Sequence, residues 1–158
     1  MIDVATISSI FERMRKGLNF IEGAEKREVI RCLRSMYFYP DRILSSLRQI
    51  IENDGFGYED AINDAIPFMP DAMEAQKAID FVSTGSVQSN LSISLKDLDE
   101  LRAVADFKTG VRSLLHSIFL IAAIKRDRQL ILKLAKEAYE DITYLNKQIE
   151  QLERSLNT

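Results

Sequence analysis

His116 is the one side chain of this sequence whose ordinary pKa lies near neutral pH, which makes it the first candidate for acid–base chemistry. Ser113 and Ser117 are the hydroxyls nearest to it along the chain. A serine nucleophile needs a histidine base and a third group that orients this base, and a Ser/His pair within one helix does not match that arrangement. We therefore expect a core or core-edge histidine, with an enzyme built around an unrecognised His116 site as an alternative function.

The composition provides few residues for cofactor or metal chemistry. One histidine and one cysteine, Cys32, supply neither a structural zinc site nor the paired Glu-x-x-His motifs of di-iron bundles. No glycine-rich phosphate loop of the Walker or dinucleotide type is present. We predict no catalytic, cofactor-binding or metal-binding residue. We expect Cys32 to be a core or boundary residue and, in the absence of a disulfide or a signal-peptide pattern, a cytoplasmic location.

Three arginines form a stripe on the second predicted helix. Arg27, Arg31 and Arg34 are spaced at i, i+4 and i+7, so they share one helix face. Such a face binds phosphates or a carboxylate-rich partner, or it pairs with a neighbouring acidic helix. Nucleic-acid binding through this arginine-rich N-terminal face is therefore an alternative function, although a net charge of −3 argues against non-specific binding. Further cations that could join it are Arg13, Arg15, Lys16, Lys125, Arg126 and Arg128.

The aromatic run Tyr37, Phe38 and Tyr39 directly follows the arginine stripe. Consecutive residues point in different directions around a helix, so one helix face cannot bury all three rings. Aromatic and arginine side chains together are typical of interface hot spots. We add the three aromatic residues to the arginines as a candidate interaction surface.

The charge is distributed unevenly along the chain. Residues 54–100 hold ten acidic and two basic side chains, a net charge of −8, whereas the flanking parts are positive. This acidic segment either covers basic faces of its neighbours or forms a surface for a basic partner.

The elements that carry these residues are predicted to be helices throughout. Three prolines and six glycines leave few breaks, and residues 3–22 and 24–38 show apolar side chains at helical spacing. Pro40 begins a third helix and Ser94 caps a later one, with Asp97 at the third position of a capping box. Residues 1–158 are expected to form a single all-helical domain, with 83–92, poor in apolar side chains, as a candidate flexible linker.

Residues 110–124 are apolar on every side from Ile118 onward, which predicts a central helix that the others cover. This stretch is too short to span a bilayer, so we expect no membrane association. The direction of the apolar face reverses between residues 111–122 and 131–156, which places a break at 125–128 with Asp127 as the next N-cap. The predicted fold is therefore an all-α bundle with a long C-terminal antiparallel helical hairpin covered by shorter N-terminal helices.

The last predicted helix repeats its apolar side chains at spacings of three and four, the pattern of a coiled coil. Either this stripe pairs with a second copy in a homodimer, or it is buried in its own bundle. The leading functional prediction is a non-enzymatic protein-interaction module that self-associates through this helix, with nucleic acid as the less favoured partner. The stripe consists of Ile142, Leu145, Ile149, Leu152 and Leu156.

Overall fold

The structure is a computed structural model that describes residues 4–21, 23–69, 71–106 and 110–155. Within these ranges every regular element is a helix and no strand occurs, so the predicted all-α class is confirmed. No helix in the described ranges combines the length and the apolar character needed to cross a bilayer. The helices are α1 (Val4–Gly17), α2 (Gly23–Tyr37), α3 (Asp41–Glu52), α4 (Tyr58–Ala65), α5 (Ala72–Val82), α6 (Gly85–Asn90), α7 (Leu95–Ala105), α8 (Val111–Ile124) and α9 (Arg128–Arg154), with single 3-10 turns at Leu18–Phe20 and Ile66–Phe68.

The central element is α9, which packs against α1, α2, α3 and α8. The expectation that residues 110–124 form the central, fully covered helix is therefore wrong. Helix α8 buries Leu115 and Ile118 against its neighbours, but Leu120 and Ile124 on its other side are exposed. The physical reason is that an apolar sequence makes exposure costly without specifying which element will cover it.

The apolar face of helix α1, which the residue spacing predicted, packs into the core. Phe11 and Met14 on this face are fully buried. At the last residue of this helix, Gly17, the chain comes so close to Leu91 that a Cβ on Gly17 would lie 2.7 Å from the Leu91 Cα atom. Leu91 belongs to the segment 83–92, which holds α6 and buries Val87 and Leu91. The expectation that this segment has little to bury is wrong, whereas the single-domain organisation stays a prediction.

Local sequence patterns predicted two of the helix boundaries correctly. The Ser94 side chain accepts a hydrogen bond from the Asp97 amide, and the Asp97 side chain accepts one from the Ser94 amide, which confirms the capping box. The break after α8 is also confirmed: Lys125 ends that helix, and Asp127 caps α9 through the Leu130 amide at 3.2 Å. Helices α8 and α9 pack against each other beyond this short connection.

Candidate interaction surfaces

The arginine stripe on α2 lies at the surface, but its charges are largely matched within the chain. Arg31 donates to both carboxylate oxygens of Glu28, at 3.0 and 2.6 Å, and these contacts hold the pKa of Glu28 below its ordinary value. Arg34 forms an ion pair with Glu153 of α9, and its guanidinium lies 3.8 Å from the centroid of the Phe38 ring. Arg27 is exposed.

The other N-terminal arginines show the same behaviour. Arg13 pairs with Asp97 at the start of α7, and Arg15 pairs with Glu12 one turn earlier on α1. A phosphate backbone would have to displace these carboxylates before it could neutralise the arginines. The nucleic-acid alternative therefore gains no support from Arg13, Arg15, Arg31 and Arg34.

The three consecutive aromatic residues separate into two that are buried and one that is not. Tyr37 is buried at the end of α2, where its hydroxyl donates to the Leu101 carbonyl at 2.8 Å and its ring meets Phe11 edge-on. Tyr39 is buried too, because the chain leaves the helix after Tyr37 and the extended residues before Pro40 turn its side chain back into the core. This corrects the predicted surface: of the run, only the half-buried Phe38 reaches solvent.

A buried arginine that sequence reasoning missed lies next to these tyrosines. Arg112, in the first turn of α8, is almost completely inaccessible and makes a side-chain hydrogen bond with Tyr39. Burial raises the pKa of Tyr37 and of Tyr39 well above the ordinary value, and the positive charge of Arg112 offsets part of this effect. A buried guanidinium is costly unless its hydrogen bonds and charge are satisfied, and the hydrogen bond with Tyr39 supplies one such partner.

The heptad-like stripe of α9 faces its own chain. Its four described members, like Ala138 one turn earlier, are buried against the neighbouring helices, and Leu156 lies outside the described residues. Their apolar surface is therefore already used inside this fold, which corrects the candidate surface predicted on α9. The four are Ile142, Leu145, Ile149 and Leu152.

Of the two residues considered for catalysis, His116 lies at the surface and Cys32 lies in the core. The expectation was a core or core-edge histidine; His116 is exposed on α8, so the core position is wrong. Cys32 is buried, as expected, and burial raises the pKa of its thiol and so disfavours the reactive thiolate. In the described part of the chain, no three His, Cys, Asp or Glu side chains come together in a way that could hold a metal ion.

The largest departure from the expected burial is the outward side of α8. Leu120 is 48% exposed and Ile124 is 70% exposed, and Ala123, which lies between them in the chain, is exposed too. At about 100° per residue these three positions fall on one helix face, next to His116. We call Leu120, Ala123 and Ile124, together with Ile66 of the neighbouring 3-10 turn, the α8 patch.

The α8 patch continues into a groove between α4 and α8. Its volume is about 460 Å³, and Ile66, which is 53% exposed, forms part of its wall together with Phe119 and Ala123. The charged residues that line it are one acid, Glu59, and one base, Arg126. The signal for this surface was present in the sequence, since the run 118–124 has no polar side to turn toward solvent.

Comparisons of the chain with protein-family models, with curated proteins and with solved structures gave no match.

Proposed function

We propose that this chain is a helical protein-interaction module that associates with a second copy of itself through the α8 patch. In this proposal α8 and α9 form an antiparallel hairpin, and the shorter N-terminal helices cover α9 and the inner side of α8 but leave the outer side of α8 open. The short connection at 125–127 and the packing of α1, α2 and α3 on α9 support this arrangement. The observation that carries the proposal is the exposed apolar face of α8, centred on Leu120 and Ile124.

The chemistry of the α8 patch favours a second copy over a charged partner. An interface related by a two-fold axis brings the same surface of both copies together, so a surface with a net charge would repel itself. The α8 patch is apolar, and the groove beside it is lined by one carboxylate and one guanidinium, which balance. Full burial of an exposed leucine or isoleucine side chain contributes about 1.5–3 kcal/mol. Leu120 and Ile66 are about half exposed and contribute less, and association itself costs free energy, so the α8 patch supports a weak dimer.

The experiment is a concentration series in sedimentation-equilibrium or light-scattering measurements. We expect the mass to rise from that of the monomer to that of the dimer. Leu120→Gln should weaken the association by about tenfold, because it removes apolar contact and places an amide in the interface. Ile124→Lys should weaken it further, and a lysine in the last turn of α8 suits the helix dipole, so the monomer should stay folded.

The matched control is Leu95→Gln, the same change at a leucine of α7 that is 72% exposed. We expect this variant to dimerise like the unmodified chain. A mass that stays monomeric up to ~1 mM, where an association of about 4 kcal/mol is half complete, would contradict the proposal. So would a Leu95→Gln effect as large as that of Leu120→Gln.

A further inference from the structure

Two opposite charges line the groove beside the α8 patch, and within the described ranges neither has an ion-pair partner. Glu59 lies in the first turn of α4, and Arg126 directly follows the C-cap of α8. They do not pair with each other, and no other described side chain forms an ion pair with either of them. Arg31 and Arg34, by contrast, are matched by carboxylates of their own chain. Glu59 and Arg126 are therefore available for ion pairs outside the chain.

Both charges lie at the same end of this groove. Arg128, at the start of α9, donates to the carbonyl and the carboxylate of Asp54, in the loop before α4. This contact holds the start of α4 beside the end of α8, because Arg126 is only two residues before Arg128. The Arg126 amide donates to the Ile121 carbonyl at 2.8 Å, which fixes its backbone at the end of α8. The exposed Ile124 of the α8 patch adjoins this end of the groove.

The arrangement of these charges is self-complementary. In an interface related by a two-fold axis, a residue i of one copy contacts a residue j of the other, and j then contacts i. An axis that passes between Glu59 and Arg126 brings Glu59 of each copy to Arg126 of the other. Two ion pairs then form at the edge of the apolar contact, and no like charges meet.

We propose that reciprocal ion pairs, Glu59 of one copy with Arg126 of the other, determine how two copies of this chain associate. The inference rests on the proposed self-association through the α8 patch and names the residues that select a second copy as its partner. Leu120 and Ile124 supply the apolar contact, which by itself would accept many surfaces. Opposite charges across an interface fix its register and exclude wrong partners more than they add affinity.

The test is sedimentation equilibrium of charge-reversal variants, at protein concentrations up to ~1 mM. Glu59→Arg places two arginines together in both contacts, and Arg126→Glu places two carboxylates together. Each variant alone should therefore associate at least about tenfold more weakly than the unmodified chain. The double variant exchanges the two charges and should associate within about threefold of the unmodified chain.

An equimolar mixture of the two single variants separates contacts between chains from contacts within one chain. In the mixed dimer, the introduced arginine meets the introduced glutamate, and the original Arg126 meets the original Glu59. We expect this mixture to dimerise within about threefold of the unmodified chain, although each variant alone stays largely monomeric. A Glu59–Arg126 pair within one chain would instead be restored in the double variant but not in the mixture.

The matched controls are Asp60→Arg and Lys125→Glu, the same charge changes at neighbouring exposed positions that do not line the groove. They place the same charges at the same helix ends, so their effect on the folded monomer is comparable. We expect them to change the association by less than about threefold. Glu59→Arg and Arg126→Glu shift the net charge in opposite directions, so general repulsion between acidic chains cannot weaken association in both. Circular dichroism checks that every variant keeps its helices.

Two results would overturn the inference and leave the self-association intact. One is a dimer that Leu120→Gln weakens but neither charge reversal weakens more than its control. The other is a mixture of the single variants that stays monomeric when the double variant dimerises. An unmodified chain that stays monomeric up to ~1 mM would contradict the self-association itself, and the inference with it.

Discussion

Tyr39 and Asn146, which are 107 residues apart in the chain, are joined by two hydrogen bonds in the core. The Tyr39 amide donates to Oδ1 of Asn146 at 2.9 Å, and Nδ2 of Asn146 donates to the Tyr39 carbonyl at 2.8 Å. Because the connection between α2 and α3 is not helical, the Tyr39 amide and carbonyl have no hydrogen-bond partner within a helix. The side chain of Asn146 on α9 forms hydrogen bonds with both groups. A single polar residue of the central helix therefore fixes the path of this connection.

Asn146→Leu is expected to lower the free energy of unfolding by about 2–4 kcal/mol, because it keeps the side-chain size but leaves a buried amide and a buried carbonyl unsatisfied. Urea denaturation followed by circular dichroism measures this change. The control is Lys147→Ala at the neighbouring exposed position of α9, expected to lie within about 0.5 kcal/mol of the unmodified chain. Equal stability of the two variants would show that the paired hydrogen bonds contribute nothing.

Gly17→Ala tests the close approach between the end of α1 and the end of α6. The added methyl group would lie 2.7 Å from the Cα and from the carbonyl oxygen of Leu91, which are backbone atoms that cannot rotate away. We expect a loss of about 1–3 kcal/mol in a urea melt. At Gly23 no atom lies within 4 Å of such a methyl group, so Gly23→Ala should be neutral or slightly stabilising, and a similar loss there would point to backbone effects instead.

Alkaline pH should destabilise the fold through Tyr37 and Tyr39. Burial raises the pKa of both phenols in the folded chain, whereas in the unfolded chain the pKa is about 10. The contribution of the two neutral tyrosines to the free energy of unfolding is therefore complete below pH ~10. As the pH rises above this value, the contribution is lost by about 1.4 kcal/mol per pH unit for each tyrosine. Urea melts across this range should show the decline, and a Tyr37→Phe, Tyr39→Phe double variant should show less of it.

The tyrosinate absorbance of the folded protein gives an independent check of the same point. Of the five tyrosines, Tyr37 and Tyr39 should ionise only as the protein unfolds. If all five ionise together near pH ~10 while the circular dichroism is unchanged, the proposed burial of the two phenols is wrong.

Asp127→Ala should weaken the start of α9. The substitution removes the acceptor for the Leu130 amide and is expected to cost about 1 kcal/mol. Asp127→Asn keeps an acceptor and loses only the charge at the helix start, so its cost should be smaller, about 0.3–1 kcal/mol. Thermal unfolding of the two variants separates the contribution of the capping hydrogen bond from that of the charge. If Asp127→Ala were more stable than Asp127→Asn, Asp127 would be excluded as the cap.

The parts of the fold that sequence predicted are those set by neighbouring residues. Ser94 and Asp97 interact across one turn, and Asp127 acts on the helix that it begins, so their patterns were sufficient. The central position of α9 depends on contacts between segments far apart in the chain. Local spacing could show that Ile142 and Leu145 share a face but not which helices would cover it.

The candidate surfaces were harder to predict for the same reason. Tyr39 follows the end of α2, so helical spacing no longer describes its direction, and its amide and carbonyl are hydrogen-bonded to Asn146, which is 107 residues away in the chain. The apolar run 118–124 has the same composition whether its cover comes from its own chain or from a partner. The sequence could not choose between these, and the exposure of Leu120 and Ile124 became visible only with the packing of α8.

The central position of α9 has a consequence for synthesis. Every helix that it packs against, α1, α2, α3 and α8, precedes it in the chain. During translation the apolar faces of the earlier helices emerge before residues 128–154 exist to cover them, and closing the long intervening loops carries an entropic cost. A nascent chain that stalls before Arg128 therefore presents uncovered core surface, and the protein can complete its core only after α9 leaves the ribosome.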